Sequence, residues 1–107
     1  MIKAKIISEV LGSPQEHVDK TLHLLFEKLK ERISLHIQNE KIFQAEKIEG
    51  KPFFTGFIEY EIAVEKIEEL TSFCFDFMPS SVEILEPDKI NLNTSEINDF
   101  FNDILAR

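Results

Sequence analysis

The sequence predicts an α+β fold of the ferredoxin-like kind, and three observations predict it. A two-residue hydrophobic beat over residues 2–11 gives way to a helical beat over 14–33, and this exchange then recurs as two strand-like stretches, a second helix and a short strand at 82–85. That order is the β-α-β-β-α-β of the split βαβ unit, here followed by an extra amphipathic helix. The first and third strands are the most apolar, and they are the two this topology puts in the middle of the sheet. With 107 residues there is enough chain for one core and too little for two. Residues 1–107 are therefore read as a single ferredoxin-like domain with a four-stranded antiparallel sheet and a C-terminal helix over about 94–106.

In the first strand Ala4, Ile6, Ser8 and Val10 point one way and Lys3, Lys5, Ile7, Glu9 and Leu11 the other. Gly12 ends it. Ser13-Pro14-Gln15-Glu16 reads as a helix start, with serine as N-cap, proline at the first helical position and glutamate three residues after the cap. Val18, Leu22, Leu25, Phe26, Leu29 and Ile33 then share one helical stripe, with Leu24 outside it. A second strand is expected from about Ser34, with Leu35 and Ile37 inward and a bulge between Asn39 and Ile42, before Phe43 and Ala45. Glu49-Gly50-Lys51-Pro52 makes the turn into a third strand over about 53–64, whose Ile58, Tyr60, Ile62 and Val64 face inward. The second helix, over about 65–78, places Ile67, Leu70, Cys74, Phe77 and Met78 on one side with Phe73 and Phe75 flanking, and Pro79 stops it. Asn93 or Thr94 can cap the last helix, whose Ile97, Phe100, Phe101, Ile104 and Leu105 form an apolar face that needs a partner.

The side-chain inventory offers little chemistry. His17 and His23, six apart on a helix, diverge and cannot grip a metal together; no second cysteine helps, and no metal or cofactor is expected. Cys74, the only cysteine, allows no disulfide within the chain and sits on an apolar stripe as a buried, inert thiol. Glu59 and Glu61 project from one face of the third strand as a solvated acidic run, and no catalytic residue is assigned. A net charge of −8 disfavours bulk nucleic acid, whose affinity comes from Lys and Arg on phosphates. Gly56-Phe57-Ile58-Glu59-Tyr60 looks like the latter half of an RNA-recognition RNP1 strand, but Phe53, Phe54 and Thr55 stand where a basic residue, a glycine and an aromatic are expected. No signal peptide or bilayer-spanning run is read, and a soluble, cytoplasmic protein is the expectation.

The segment Pro79-Ser80-Ser81-Val82-Glu83-Ile84-Leu85-Glu86-Pro87, with a helix ending Asn102-Asp103-Ile104-Leu105-Ala106-Arg107, resembles the close of the WCX domain. That is the ferredoxin-like C-terminal domain of WYL-type bacterial transcription regulators, which ends in a short strand reading Val-Glu-Val-Leu-x-Pro and a terminal helix. The likeness covers the last quarter of the chain and implies an oligomerisation or effector-sensing module. No helix-turn-helix precedes the segment, and Ser80-Ser81 replace the usual glycine. In size, acidity and its Lys, Glu and Ile bias the chain is also similar to small stand-alone archaeal proteins.

Two helices cover one face of a four-stranded sheet. The other face, with Ile7, Leu11, Phe57 and Leu85 among charges, and the apolar side of the last helix both call for cover, either from that helix or from a second copy. The expectation is a homodimer acting as a non-enzymatic module, regulatory in role, that binds a small ligand or a protein partner. Ile7, Leu11, His36, Phe57, Glu59, Phe100, Phe101 and Ile104 are the candidate ligand or interface residues. A small dimeric enzyme with a cleft at the open sheet face is the first alternative, for which Tyr60 would have to converge with a glutamate. RNA binding through the sheet is the second.

Overall fold

The computed structural model describes residues 1–107. Its elements run β1 (Ile2–Gly12), α1 (Gln15–Glu31), a 3-10 turn (Ile33–Leu35), β2 (Gln38–Lys47), β3 (Phe54–Val64), α2 (Ile67–Phe77), β4 (Ser81–Glu86) and α3 (Thr94–Leu105). The strands form one antiparallel sheet in the order β2-β3-β1-β4, so the most apolar strands are central, as the ferredoxin-like reading requires. β1 and β3 pair without a break from Ile2 opposite Val64 to Gly12 opposite Phe54.

Strict alternation of side chains makes that register a statement about burial. Ile2, Ala4, Ile6 and Ser8 of β1 and Ile58, Tyr60, Ile62 and Val64 of β3 are buried beneath the helices, where Val18, Leu22 and Leu29 of α1 and Leu70 and Phe73 of α2 close over them. Phe73, placed at the flank of its helix by the sequence, is instead at its centre: it is fully buried, edge-on to Tyr60 at 6.4 Å and stacked on Phe77 at 5.3 Å. Met78 lies outside the stripe, an exposed C-cap in the left-handed conformation.

Three local expectations need correction. α1 begins on schedule, but Pro14 is the N-cap and no side chain caps the helix, so Ser13 and Glu16 form no capping box. Chain entry to β2 is a 3-10 turn rather than a strand: Leu35 is buried there, Ile33 is exposed, and His36 ends the turn at φ +48°. The anticipated slip in β2 is present, with Asn39 at φ +54° between Gln38 and Lys41, and a second register shift follows between Phe43 and Glu46. Phe43, just before that second shift, lies on the outer face against Phe57, and the shift turns Ala45 inward.

The inner bulge is held by α1. Asp19 Oδ1 accepts the Ala45 N–H at 2.8 Å and Gln15 Nε2 donates to the Ala45 carbonyl at 3.1 Å, so backbone groups freed by the bulge find partners on the helix. Gly56 lies across from this point. A Cβ there would stand 2.5 Å from Leu22 Cδ1 and within 3.2 Å of the Phe43 carbonyl oxygen and the Ala45 nitrogen, so only glycine lets helix and strand approach this closely.

Candidate interaction face

β4 and α3 are built differently from the rest of the molecule. Both carry the apolar pattern of core elements, yet neither contributes a single buried residue. In β4, Val82 pairs with Ile6 and Ile84 with Ala4, which puts both on the helix side of the sheet. They remain 39% and 41% exposed because α1 and α2 close over the other strands and leave this margin open.

α3 starts from a complete capping box, Asn93 accepting from the Glu96 N–H and Glu96 accepting from the Asn93 N–H, so the helix is locally well specified. Its C-terminal end is tied to α2. The Arg107 guanidinium donates to Ser72 Oγ, lies 3.8 Å from Asp76 Oδ1 and sits over the Phe75 ring at 5.2 Å. α3 therefore stands on the helix side of the sheet and does not fold over the open face. Phe100 and Ile104 are half-buried, whereas Phe101 is 58% and Leu105 81% exposed. Phe75 joins the two elements, since it also lines, with Cys74, Met78, Pro79 and Val82, a groove of about 390 Å³ between the end of α2 and the start of β4. A second hollow of about 600 Å³ lies at the opposite end of α2, where Glu65, Lys66, Glu68, Lys89, Glu96 and Asp99 mix both signs of charge around its rim.

The remaining candidate residues are on the other side of the sheet. Ile7, Leu11, Phe57 and Glu59 share the outer face, where Ile7 is opposite Glu59 and Phe57 stacks on Phe43 with ring centroids 4.4 Å apart. Lys5 pairs with Glu59 at 3.3 Å, and Asn39 donates to Glu61 at 3.1 Å. His36 belongs to neither set; it is exposed where it ends the 3-10 turn. The eight residues thus divide among an outer sheet face, an isolated turn and α3.

Tyr60 and Glu59, as neighbours on β3, face opposite sides of the sheet and do not converge. Tyr60 is buried, its hydroxyl 2.8 Å from Ser8 Oγ, and burial pushes its pKa up to about 12. Burial likewise raises the pKa of the Cys74 thiol. Alternation alone places Ser8 and Tyr60 inward, but the hydrogen bond between them emerges only once the two strands are paired. The available signal was a serine and a tyrosine at inward positions of two adjacent central strands. No group of three His, Cys, Asp or Glu side chains is placed to hold a metal ion, and no helix is long and apolar enough to cross a membrane.

Fold and face together define a ferredoxin-like α+β domain with an appended helix whose apolar side is only partly covered. The model of the MJ0538 family matches residues 3–107, and the chain belongs to that family. Nothing in the match supports the likeness of its last quarter to the WCX domain. No curated protein and no solved structure matches the chain.

Proposed function

We propose that this protein is a non-enzymatic, self-associating module: a homodimer, regulatory in role, whose shared face is made by β4, the end of α2 and α3 and which presents a small ligand or protein partner with a paired surface. One observation carries the reading, namely that two elements with core-like apolar patterns have no fully buried residue within a single copy. Phe75, Met78, Val82, Ile84, Phe101 and Leu105 together expose on the order of 700 Å², close to the roughly 800 Å² that each partner contributes to a stable dimer. At roughly 25 cal/mol per Å² of apolar surface, covering it outweighs leaving it in water. A two-fold arrangement suits a patch of this kind, because the same surface serves both copies.

Size-exclusion chromatography with light scattering tests the reading. The expected mass is twice 12.5 kDa, falling to 12.5 kDa in a Phe101→Ser, Leu105→Ser variant with an unchanged circular dichroism spectrum. A wild-type chain that runs as a monomer at high concentration overturns it.

A further inference from the structure

We infer that the two copies meet edge to edge along β4, antiparallel about a two-fold axis at Glu83, so that two four-stranded sheets continue as one sheet of eight. This rests on the self-association proposed above and adds the partner's position to it. The sheet has two edges, and they differ. β2 is blunted as solitary edges are: its register breaks twice, Asn39 takes a left-handed conformation within it, and Lys41 and Lys47 lie along it. β4 carries none of these devices over its first four residues. It pairs with β1 without a break from Ser81 opposite Ile7 to Ile84 opposite Ala4, has no lysine or proline between Ser81 and Glu86, and every residue in it is exposed.

Side-chain alternation narrows the register. In an antiparallel pair, residues directly opposite share a face, so a two-fold axis must pass through a residue and not between two. With the axis at Glu83, Val82 falls opposite the partner's Ile84, both on the helix side, and the open apolar margins of the two sheets merge. With the axis at Ile84, Ile84 would meet its own copy but each Val82 would meet the partner's Glu86, beyond the irregularity between Lys3 and Ala4, so one apolar pair would replace two. The Glu83 register has one cost, because Glu83 faces its own copy across the axis. Lys5 stands opposite each Glu83 on β1, so the outer face reads Lys5, Glu83, Glu83, Lys5 across the junction.

Disulfide trapping tests the geometry. Directly opposite residues have Cα atoms about 4.5–5.5 Å apart, within the range a disulfide spans. In a Cys74→Ser background, Glu83→Cys should cross-link most of the chain under mild oxidation, whereas Lys41→Cys on the other edge should stay reduced. Glu83→Gln, which removes the like-charge contact, should lower the dimer dissociation constant about two- to fivefold. A light-scattering dimer in which Glu83→Cys stays reduced and Glu83→Gln leaves the dissociation constant unchanged overturns edge pairing and leaves self-association standing. A monomeric wild type overturns both.

Discussion

Ser8 and Tyr60 form a closed polar pair inside an otherwise apolar core, their oxygens 2.8 Å apart between the two central strands. Each satisfies the other, so removing one strands its partner without water. Ser8→Ala and Tyr60→Phe are each expected to destabilise the fold by about 1–3 kcal/mol, and the double variant by less than their sum. Urea denaturation of all four proteins gives the coupling. Strictly additive losses would show that the two hydroxyls do not depend on each other.

The same pair sets an alkaline limit on stability. Tyr60 titrates at about 12 when folded and near 10 when unfolded, so between pH 10 and 12 the unfolded chain has already released a proton that the native state still holds. Stability from this group is complete below pH 10 and falls as pH rises through that window. Tyr60→Phe lacks the group and should show a shallower loss there than the wild type. Parallel slopes would place the alkaline loss elsewhere.

Gly56 should not accept a side chain. Of the atoms a Cβ would meet, Leu22 is buried and cannot swing into solvent, and the Phe43 oxygen and Ala45 nitrogen are backbone at the bulge. Gly56→Ala is expected to cost about 1–3 kcal/mol, and Leu22→Val to recover only part of it. Thermal denaturation of the single and double variants checks this, and a Gly56→Ala chain as stable as the wild type would contradict it.

Asp19 acts at the same place from the helix side. Its carboxylate accepts the Ala45 N–H that the bulge takes out of the β2–β3 ladder. Asp19→Ala should cost about 1–2 kcal/mol and speed hydrogen exchange at the Ala45 amide, while Asp19→Asn, which keeps an acceptor, should do less. Equal effects of the two substitutions would mean that charge, not the hydrogen bond, matters there.

The parts of this fold that follow from alternation were legible in the chain. β3 shows inward Ile58, Tyr60, Ile62 and Val64 in sequence, and those four are buried. Asn93 announces the start of α3 through a capping box that lies within four residues. Less legible were features that depend on a distant element. Ser13 has the local signature of a cap, but α1 starts without it. Asp19 and Gln15 look like solvent-facing helix residues until the Ala45 bulge is placed beside them. The apolar stripe of α3 says that it needs cover but not from where, and it is the contacts of Arg107 with Ser72, Phe75 and Asp76 that put its end beside α2. For the same reason Phe57 and Phe101, both read as interface candidates, lie on opposite sides of the sheet.

Charge should act against association. Each copy carries −8, so two copies repel at long range, and salt shortens that repulsion as the Debye length falls from about 30 Å at 0.01 M to about 3 Å at 1 M. The dimer should therefore tighten as ionic strength rises. Sedimentation equilibrium across a salt series measures this, and a dissociation constant that grows with salt would point to an interface held by ion pairs instead of apolar contact.

Cys74 offers a chemical reading of the same face. Burial raises its pKa and so lowers the thiolate fraction at neutral pH, and the thiolate is the form that alkylates. Iodoacetamide should thus modify the native chain more slowly than the urea-unfolded one. Cys74 also lines the groove with Phe75, Met78 and Val82, which a second copy seated on β4 would close. Its alkylation rate should then fall as protein concentration rises through the dimerisation range, and become independent of concentration in the Phe101→Ser, Leu105→Ser variant. A rate that ignores concentration in a wild-type chain known to dimerise would place the interface away from this groove.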